Sequence, residues 1–498
     1  MEANPIPNIA GLLWNAAEAG PARPAVVGAE RVTDYASLRD RAAAIAAGLT
    51  DAGIGPGDCV GIFLDAGPDA VAAFFGVAAA GGIAVVINES LRPRQVEQML
   101  EGAGAAVLIT ADDILARQPR PLETDTLLLR VHDLRSPRHF VPRARVGMDP
   151  AQIVFTSGST GHPKGVTVTH ANLLAAAHTV IGYLGIGAAD RIASVLPFSF
   201  VYGMSQVLCA VGSGAALVVE RSPLAPQLVA NLRAQEITVL AAVPPLWQQL
   251  LNVLSFRDHP LASLRIATNA GGHLPVPVVQ AVRRAQPQAR LFLMYGLTEV
   301  LRSTYLPPEE VDRRPDSIGR AIPGAEVLVL REDLTPCAPG EVGELVHRGP
   351  TVTLGYWNDA EGTTRVFRPH PLRPAGAPDA ERVVFSGDLV RQDAEGWLYF
   401  VGRRDRMIKT LGYRVSPDEI ATVLYGSGEL AECIITAEPD DARGERIVAY
   451  VVVAKGGSLE RLKTYCGVEL PRHMQPARFE VRDALPRLPS GKHDLAAL

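Results

Sequence analysis

The stretch VFTSGSTGHPKGVTVTH, residues 154–170, carries the reading of this chain. An apolar strand runs into a loop of glycines and hydroxyls. A single lysine, Lys164, closes the loop, and a helical segment, HANLLAAAHTVIGYL (170–184), follows. Hydroxyls at Thr156, Ser157, Ser159 and Thr160 can donate to phosphate oxygens, and Gly158 and Gly161 let the backbone bend close to them. A bland surface turn has no need of strand, hydroxyl-rich loop, lysine and helix in this order. The G-x-x-x-x-G-K-[ST] phosphate loop does not occur in the chain, so a different device is expected to hold a polyphosphate.

Helix-like and strand-like segments alternate outward from this loop. YASLRDRAAAIAAGLTDAG (35–53) reads as an amphipathic helix, DCVGIFLD (58–65) as a strand, and RQVEQMLEGAG (94–104) with AAVLIT (105–110) as helix then strand. After the loop, RIASVLP, ALVVE, ITVLAAV, LRIATNAGG and RLFLMYG read as strands and SQVLCAVGSG as a helix. The recurrence predicts an α/β fold with a largely parallel buried sheet. From about 318 the texture changes to short alternating runs with Gly/Pro turns, an antiparallel β subdomain. Residues 368–380 read as an exposed Pro-rich loop, and a boundary falls near VGRRDRMIKTLG (401–412).

Composition bounds the function. The chain has 498 residues, enough for about three domains or subdomains. Apolar residues make up 47% and charged residues 20%, which fits a soluble globular protein. A net charge of −5 argues against a nucleic-acid partner. Five scattered cysteines without C-x-x-C spacing read as reduced thiols in a cytoplasmic protein. No signal peptide is expected at the N-terminus. Ala70–Ile87 mimics a membrane span, but Gly81-Gly82 divides it into a buried helix and a strand, so no span is expected. His162, His170 and His273 show no zinc or relay spacing.

Four further motifs carry chemistry. In MYGLTE (294–299), Tyr295 offers a ring to stack on a purine, Thr298 a hydroxyl, and Glu299 a carboxylate suited to Mg²⁺ between protein and phosphates. The upstream NAGG turn, with Gly271 and Gly272, gives a flat base backbone to lie against. In FSGDLV (385–390), Asp388 can accept ribose hydroxyls, and Arg403 of VGRRD can reach ribose or phosphate. Lys492 stands in PSGKHD (489–494), a poor signal alone.

Together, TSGSTGHPKG, YGLTE, SGDL, GRRDRMIKTLGYRVSPDEI and LPSGKHD resemble the AMP-forming adenylating superfamily: acyl-CoA synthetases, peptide-synthetase adenylation domains and luciferases. They stand in family order across about 8–498 and identify the chain as a stand-alone member. The resemblance implies a large multi-subdomain N-terminal domain (1–402) with αβαβα layers and a β subdomain. It also implies a small mobile α+β C-terminal domain (403–498) carrying the catalytic lysine. By resemblance, Thr156–Lys164 is the phosphate loop, Tyr295 the adenine-stacking ring, Thr298 with Glu299 the phosphate and Mg²⁺ pair, and Asp388 the ribose-binding residue. Arg403 contacts the nucleotide, Asp405 is the hinge, Lys492 acts in the first half-reaction, and Gly412 with Arg414 form the face that meets the thiol.

The acid is read from LPFSFVYGMSQVL (196–208). Amino-acid-activating members resemble SFD there, and a gapless match puts Val201 at the aspartate that pairs the α-ammonium. Valine cannot balance a buried ammonium. The expectation is an uncharged aliphatic or aryl carboxylic acid, with Phe200, Val201, Tyr202, Met204, Asn269 and Gly296 forming its pocket. The chain stops just after GKHDLAAL, so no fused carrier domain is expected. The acceptor is then coenzyme A or the phosphopantetheine of a separate acyl or peptidyl carrier protein, with ATP and Mg²⁺ as cofactors, in a monomer or homodimer. A non-catalytic nucleotide-binding module and an oxidative luciferase-like activity are the alternatives.

Overall fold

The computed structural model describes residues 8–498 except 30, 136–139, 157–162, 375, 377–380, 411–412, 441–443 and 489–491; the side chains of Asp405, Lys409, Tyr413, Arg414 and Ala496 are also outside the description. Two sheets and three helical layers build the large N-terminal α/β domain. The first sheet runs, in spatial order, through strands Gly355–Tyr356, Lys164–Thr169, Pro150–Thr156, Ile83–Val86, Cys59–Phe63, Val107–Thr110 and Leu127–Arg130. The second has at its centre six parallel strands: Arg290–Tyr295, Ile266–Asn269, Val239–Ala242, Arg191–Ser194, Ala216–Val219 and Pro24–Val27.

The cores show the layering. One core packs the helices Ala10–Ala19, Tyr35–Asp51, Pro68–Ala80, His170–Leu184 and Val201–Ser213 between the two sheets, joining Val60 and Ile62 of one to Ile192 and Ile266 of the other. A second core fixes helix Pro93–Ala103 to the outside of the first sheet through Val96, Met99 and Leu100. A third fixes helices Ala225–Ala234, Pro244–Leu251 and Val276–Ala285 to the outside of the second through Leu228, Trp247 and Val279. This is the expected αβαβα order. The membrane mimic is the central helix: Ala70 to Ala80 are buried on every face, and Gly81, at φ +85°, stops the helix before the strand. Burying each Val or Phe there contributes about 1.5–3 kcal/mol relative to exposure. Among the described residues no helix is long and apolar enough to cross a membrane.

Three local expectations are corrected. Lys164 does not lead straight into the helix: Lys164–Thr169 is a strand antiparallel to Pro150–Thr156, so the hydroxyl-rich loop lies between the two strands of a hairpin. The helix follows at once, with Thr169 accepting from the Asn172 backbone at 3.0 Å and Asn172 answering to the Thr169 backbone at 3.0 Å. The β subdomain is antiparallel as expected, but Thr304–Leu306 and Ser317–Ala321 weld it to the parallel sheet. The Pro-rich segment starts with a strand, Phe367–Pro369, paired to Arg382–Gln392. The smaller C-terminal α+β domain has strands Leu430–Asp440 and Gly444–Val453 at its centre and helices Pro417–Gly426 and Leu459–Glu469. Ile420, Leu424, Ile447, Val451 and Leu462 form its core. All five cysteines are free.

Candidate active site

Distant motifs meet through side chains that reach between strands not paired with each other. Arg290–Tyr295 ends on Tyr295, and Arg382–Gln392 presents Asp388. Asp388 is 5% exposed and sits directly opposite Arg403 in the antiparallel ladder, with Arg403 Nη1 2.9 Å from its Oδ1. Tyr295 Oη donates to Asp388 Oδ2, and Arg403 Nη1 donates to the Ser386 carbonyl at 3.0 Å. The Tyr295 ring lies 6.0 Å from the His347 imidazole with 25° between planes. Burial first, then the Asp388 charge, holds the Tyr295 phenol well above its ordinary pKa, so it stays a donor. Burial pulls His347 down to about 3, so that ring stays neutral.

Glu299 and Lys164 meet through a residue that sequence reasoning missed. The 3₁₀ turn Thr298–Val300 presents Thr298 and Glu299, both half-buried. Tyr356 Oη donates to Glu299 Oε1 at 2.7 Å, and Lys164 Nζ lies 5.1 Å from the Tyr356 ring centroid. Thr156 faces Lys164 across the hairpin; Ser157, Gly158, Ser159, Thr160 and Gly161 lie outside the described residues. Among the described residues no three His, Cys, Asp or Glu side chains converge on one point. A magnesium ion therefore fits as one carboxylate, Glu299, plus substrate phosphates, the arrangement this ion commonly takes.

The C-terminal domain adds charge to the same place. The Lys492 ammonium stands in the combined field of Glu299, Asp388, Arg406 and Arg403. The residue as a whole is exposed. Desolvation first, then Arg406, holds its pKa below the ordinary lysine value. Asp418, at the start of helix Pro417–Gly426, shares this field, and burial raises its carboxyl. Ser416 Oγ donates to the Val401 carbonyl, and Arg404 pairs with Glu344, tying the two domains. Asp405 lies in the 3₁₀ turn Arg404–Arg406. Gly412 lies outside the described residues, and Arg414 is described for its backbone alone, in strand Tyr413–Val415.

The acyl residues divide. Val201 and Met204, on helix Val201–Ser213, line a cavity with Leu173, Ser205, Leu208 and Leu301. Phe200 caps the helix, and Tyr202 stands behind the cavity, its Oη 2.6 Å from Thr268 Oγ1. Gly203 is needed where the helix meets the preceding turn: a Cβ there would lie 1.9 Å from the Pro197 carbonyl oxygen. Asn269 is not on the wall; it is buried and donates to the Gly272 carbonyl at 3.2 Å, beside the exposed turn of Gly271 and Gly272. Gly296 backs the turn at Leu301–Arg302, where a Cβ would come within 3.0 Å of the Leu301 oxygen.

A fold of this layering brings Asp388, Arg403 and Tyr295 together at one place and Glu299, Tyr356 and Lys164 together at another. The chain belongs to the AMP-binding enzyme family: that family's model matches residues 13–357, and the model of the AMP-binding enzyme C-terminal domain matches 419–492. A linear gramicidin synthase of Brevibacillus parabrevis is 32% identical over 97% of this chain, which spans 9% of that polypeptide's length. Novobiocin biosynthesis protein H of Streptomyces niveus is 31% identical over 96% of this chain and 80% of its own. Among solved structures, the o-succinylbenzoate CoA synthetase of Bacillus subtilis, in complex with its acyl-adenylate intermediate, is similar with a TM-score of 0.84. It is 27% identical, with 97% of this chain and 96% of that one covered. That synthetase is also solved with ATP and a magnesium ion.

Proposed function

We propose that this chain adenylates a carboxylic acid without an α-ammonium group, aliphatic or aryl, and then passes the acyl group to a thiol. The observation that carries this reading is the placement of Lys492 in the field of Glu299 and Asp388, beside Arg403 and Arg406. A cation gathered there can offset charge that develops on phosphate oxygens. In the first step a carboxylate oxygen bonds to the α-phosphorus of ATP, the bond to the β-phosphate's bridging oxygen breaks, and pyrophosphate leaves. Asp388 and Arg403 would hold the ribose, Tyr295 would carry the adenine on the side away from His347, and the hairpin loop with Lys164 would hold the phosphates. Mg²⁺, when bound at Glu299, supplies further charge neutralisation on those phosphates.

In the second step a thiol sulfur attacks the acyl carbon, its proton goes to solvent, and AMP leaves. The thiol needs the space that Lys492 occupies. We therefore place a domain boundary at about 402/403 and a rotation at Arg404–Arg406, with Asp405 absorbing the torsion. Gly412 and Arg414 would then meet the thiol. Val201, partly buried at the mouth of helix Val201–Ser213, argues for an acid with no ammonium to pair. The acceptor is coenzyme A in the first reading. Similarity to peptide synthetases favours a second, a separate carrier protein's phosphopantetheine. Carboxylate-dependent ATP–pyrophosphate exchange without thiol tests the first step. Exchange with α-amino acids alone sinks the Val201 argument. Comparing free CoA with carrier proteins separates the acceptors.

A further inference from the structure

Three non-histidine charged side chains are buried among the described residues: Asp190, Asp388 and Arg302. Asp190 is paired with Arg265, and Asp388 with Arg403. Arg302 is 4% exposed, its Nε is buried without a hydrogen-bond partner, and no carboxylate of the described residues forms an ion pair with it. Its surroundings are neutral. The guanidinium carbon lies 4.7 Å from the centroid of the Tyr202 ring. Tyr183 and Cys209 also feel its charge, yet burial outweighs that charge and keeps both, like Tyr202, in their neutral forms. A buried charge without a counter-ion is costly, and a cation–π contact recovers only part of that cost.

The backbone spends strain to put it there. Leu301 has φ +53° and ψ −61°, in the left-handed half of the map, and the Arg302 N–H reaches the Val300 carbonyl at 2.5 Å. That is a γ-turn of the rare, strained hand. Gly296 packs against it from behind. The turn delivers Leu301 and Arg302 to the wall of the cavity that Val201 and Met204 line. The cavity is small, about 20 Å³, on a measure by which one water needs about 10–15 Å³. A compact group fits at its end, and a long alkyl tail does not.

We propose that the acid activated here carries a second carboxylate at its far end, and that Arg302 is the specificity-determining residue that receives it. This rests on the reading that the cavity takes the acyl group, and it narrows that reading: the acid is uncharged at its α-position and anionic at its tip. Bound there, the distal carboxylate supplies the counter-ion that the fold omits. A monoacid of the same length leaves the guanidinium buried and unpaired.

The test uses the purified full chain and matched pairs of acids: succinate with butyrate, glutarate with pentanoate, adipate with hexanoate, and isophthalate with benzoate. In ATP–pyrophosphate exchange, at least one diacid is expected to exceed its partner by about tenfold or more in kcat/KM, through KM. Arg302→Met should raise KM for that diacid by about tenfold or more while leaving the monoacid unchanged or better, and Arg302→Lys should restore part of the preference. Preference for the monoacid in every pair overturns the proposal. So does an equal loss for both acids in Arg302→Met, which would mean a structural role or a contact with the reacting carboxylate. If no acid supports exchange, the ligase reading fails on its own terms, and thermal unfolding with each diacid still reads the arginine. A rise in Tm that Arg302→Met abolishes supports the proposal, and no rise with any diacid overturns it.

Discussion

The proposed nucleotide side and the proposed acyl side of this site differ in how their charges are met. On the nucleotide side, the carboxylates have donors or cations and Lys492 feels charges of both signs: Asp388 has Arg403 and Tyr295, Glu299 has Tyr356, and Lys492 feels Glu299 and Asp388 as well as Arg406 and Arg403. On the acyl side, Arg302 stands against the Tyr202 ring with no counter-ion among the described residues. The first half is balanced before the ligand arrives, so binding exchanges one set of polar partners for another. The second half is unbalanced until its ligand arrives, so occupancy itself is selective. A site of the first kind suits a constant co-substrate, and one of the second kind suits the variable acid.

The comparison breaks most visibly at Lys492. Lys492→Ala should lower acid-dependent pyrophosphate exchange by about 10²–10³-fold, while thioester formation from supplied acyl adenylate is retained. The lowered pKa fixes the pH sign. The ammonium is the useful form, so exchange should decline as pH rises, through a midpoint below the ordinary lysine value. An exchange rate that is flat into the alkaline range argues against the lysine's role. Asp388→Asn should come next. It leaves Arg403 and Tyr295 without their carboxylate and should raise KM for ATP about 10- to 100-fold, with the KM for the acid much less affected.

Acid should then weaken the fold itself. Burial lowers His347 to about 3 and His170 to about 4, against an unfolded value of about 6.5. The unfolded chain therefore binds more protons below about pH 6.5, and stability falls as pH drops through that window. The cost is about 2 kcal/mol for each histidine by pH 5. Urea melts at pH 7 and pH 5 measure it, and His170→Asn should remove its share. The smallest effect sharpens the contrast most: Arg302→Met should raise the Tm of the ligand-free protein by about 1–3 °C, because an unpaired buried charge gives way to an apolar side chain. A fall in Tm would mean that the guanidinium is already balanced.

Much of the fold was legible because the apolar runs are long and punctuated. Ala70–Ala80 followed by Gly81-Gly82 reads as buried helix and stop, and the structure has both. The hairpin strand Lys164–Thr169 was not legible, because GVTVT is short and its pairing partner lies before the loop. On the nucleotide side, Tyr295, Glu299, Asp388 and Arg403 stand in local motifs, Lys492 is a poor signal that only the resemblance picks out, and the structure brings them together. Tyr356, Arg406 and Asp418 do not, because their place depends on which strands and domains become neighbours. Arg302 left a faint signal, one charge inside the otherwise uncharged run VLRSTYL (300–306). Its lack of a partner can be seen only once the residues around it are known.

Asp388 and Arg403 occupy the same rung of one ladder, and the chain leaves that rung at Arg404 for the C-terminal domain. In mechanical terms the rung is an axle bearing. A swing of the C-terminal domain would apply its torque where the sheet is already cross-braced by an ion pair and by the Tyr295 hydroxyl. The sugar would keep its seat while Lys492 travelled. Loosening that bearing should therefore be felt as wobble in the timing between the two half-reactions, as well as in nucleotide affinity.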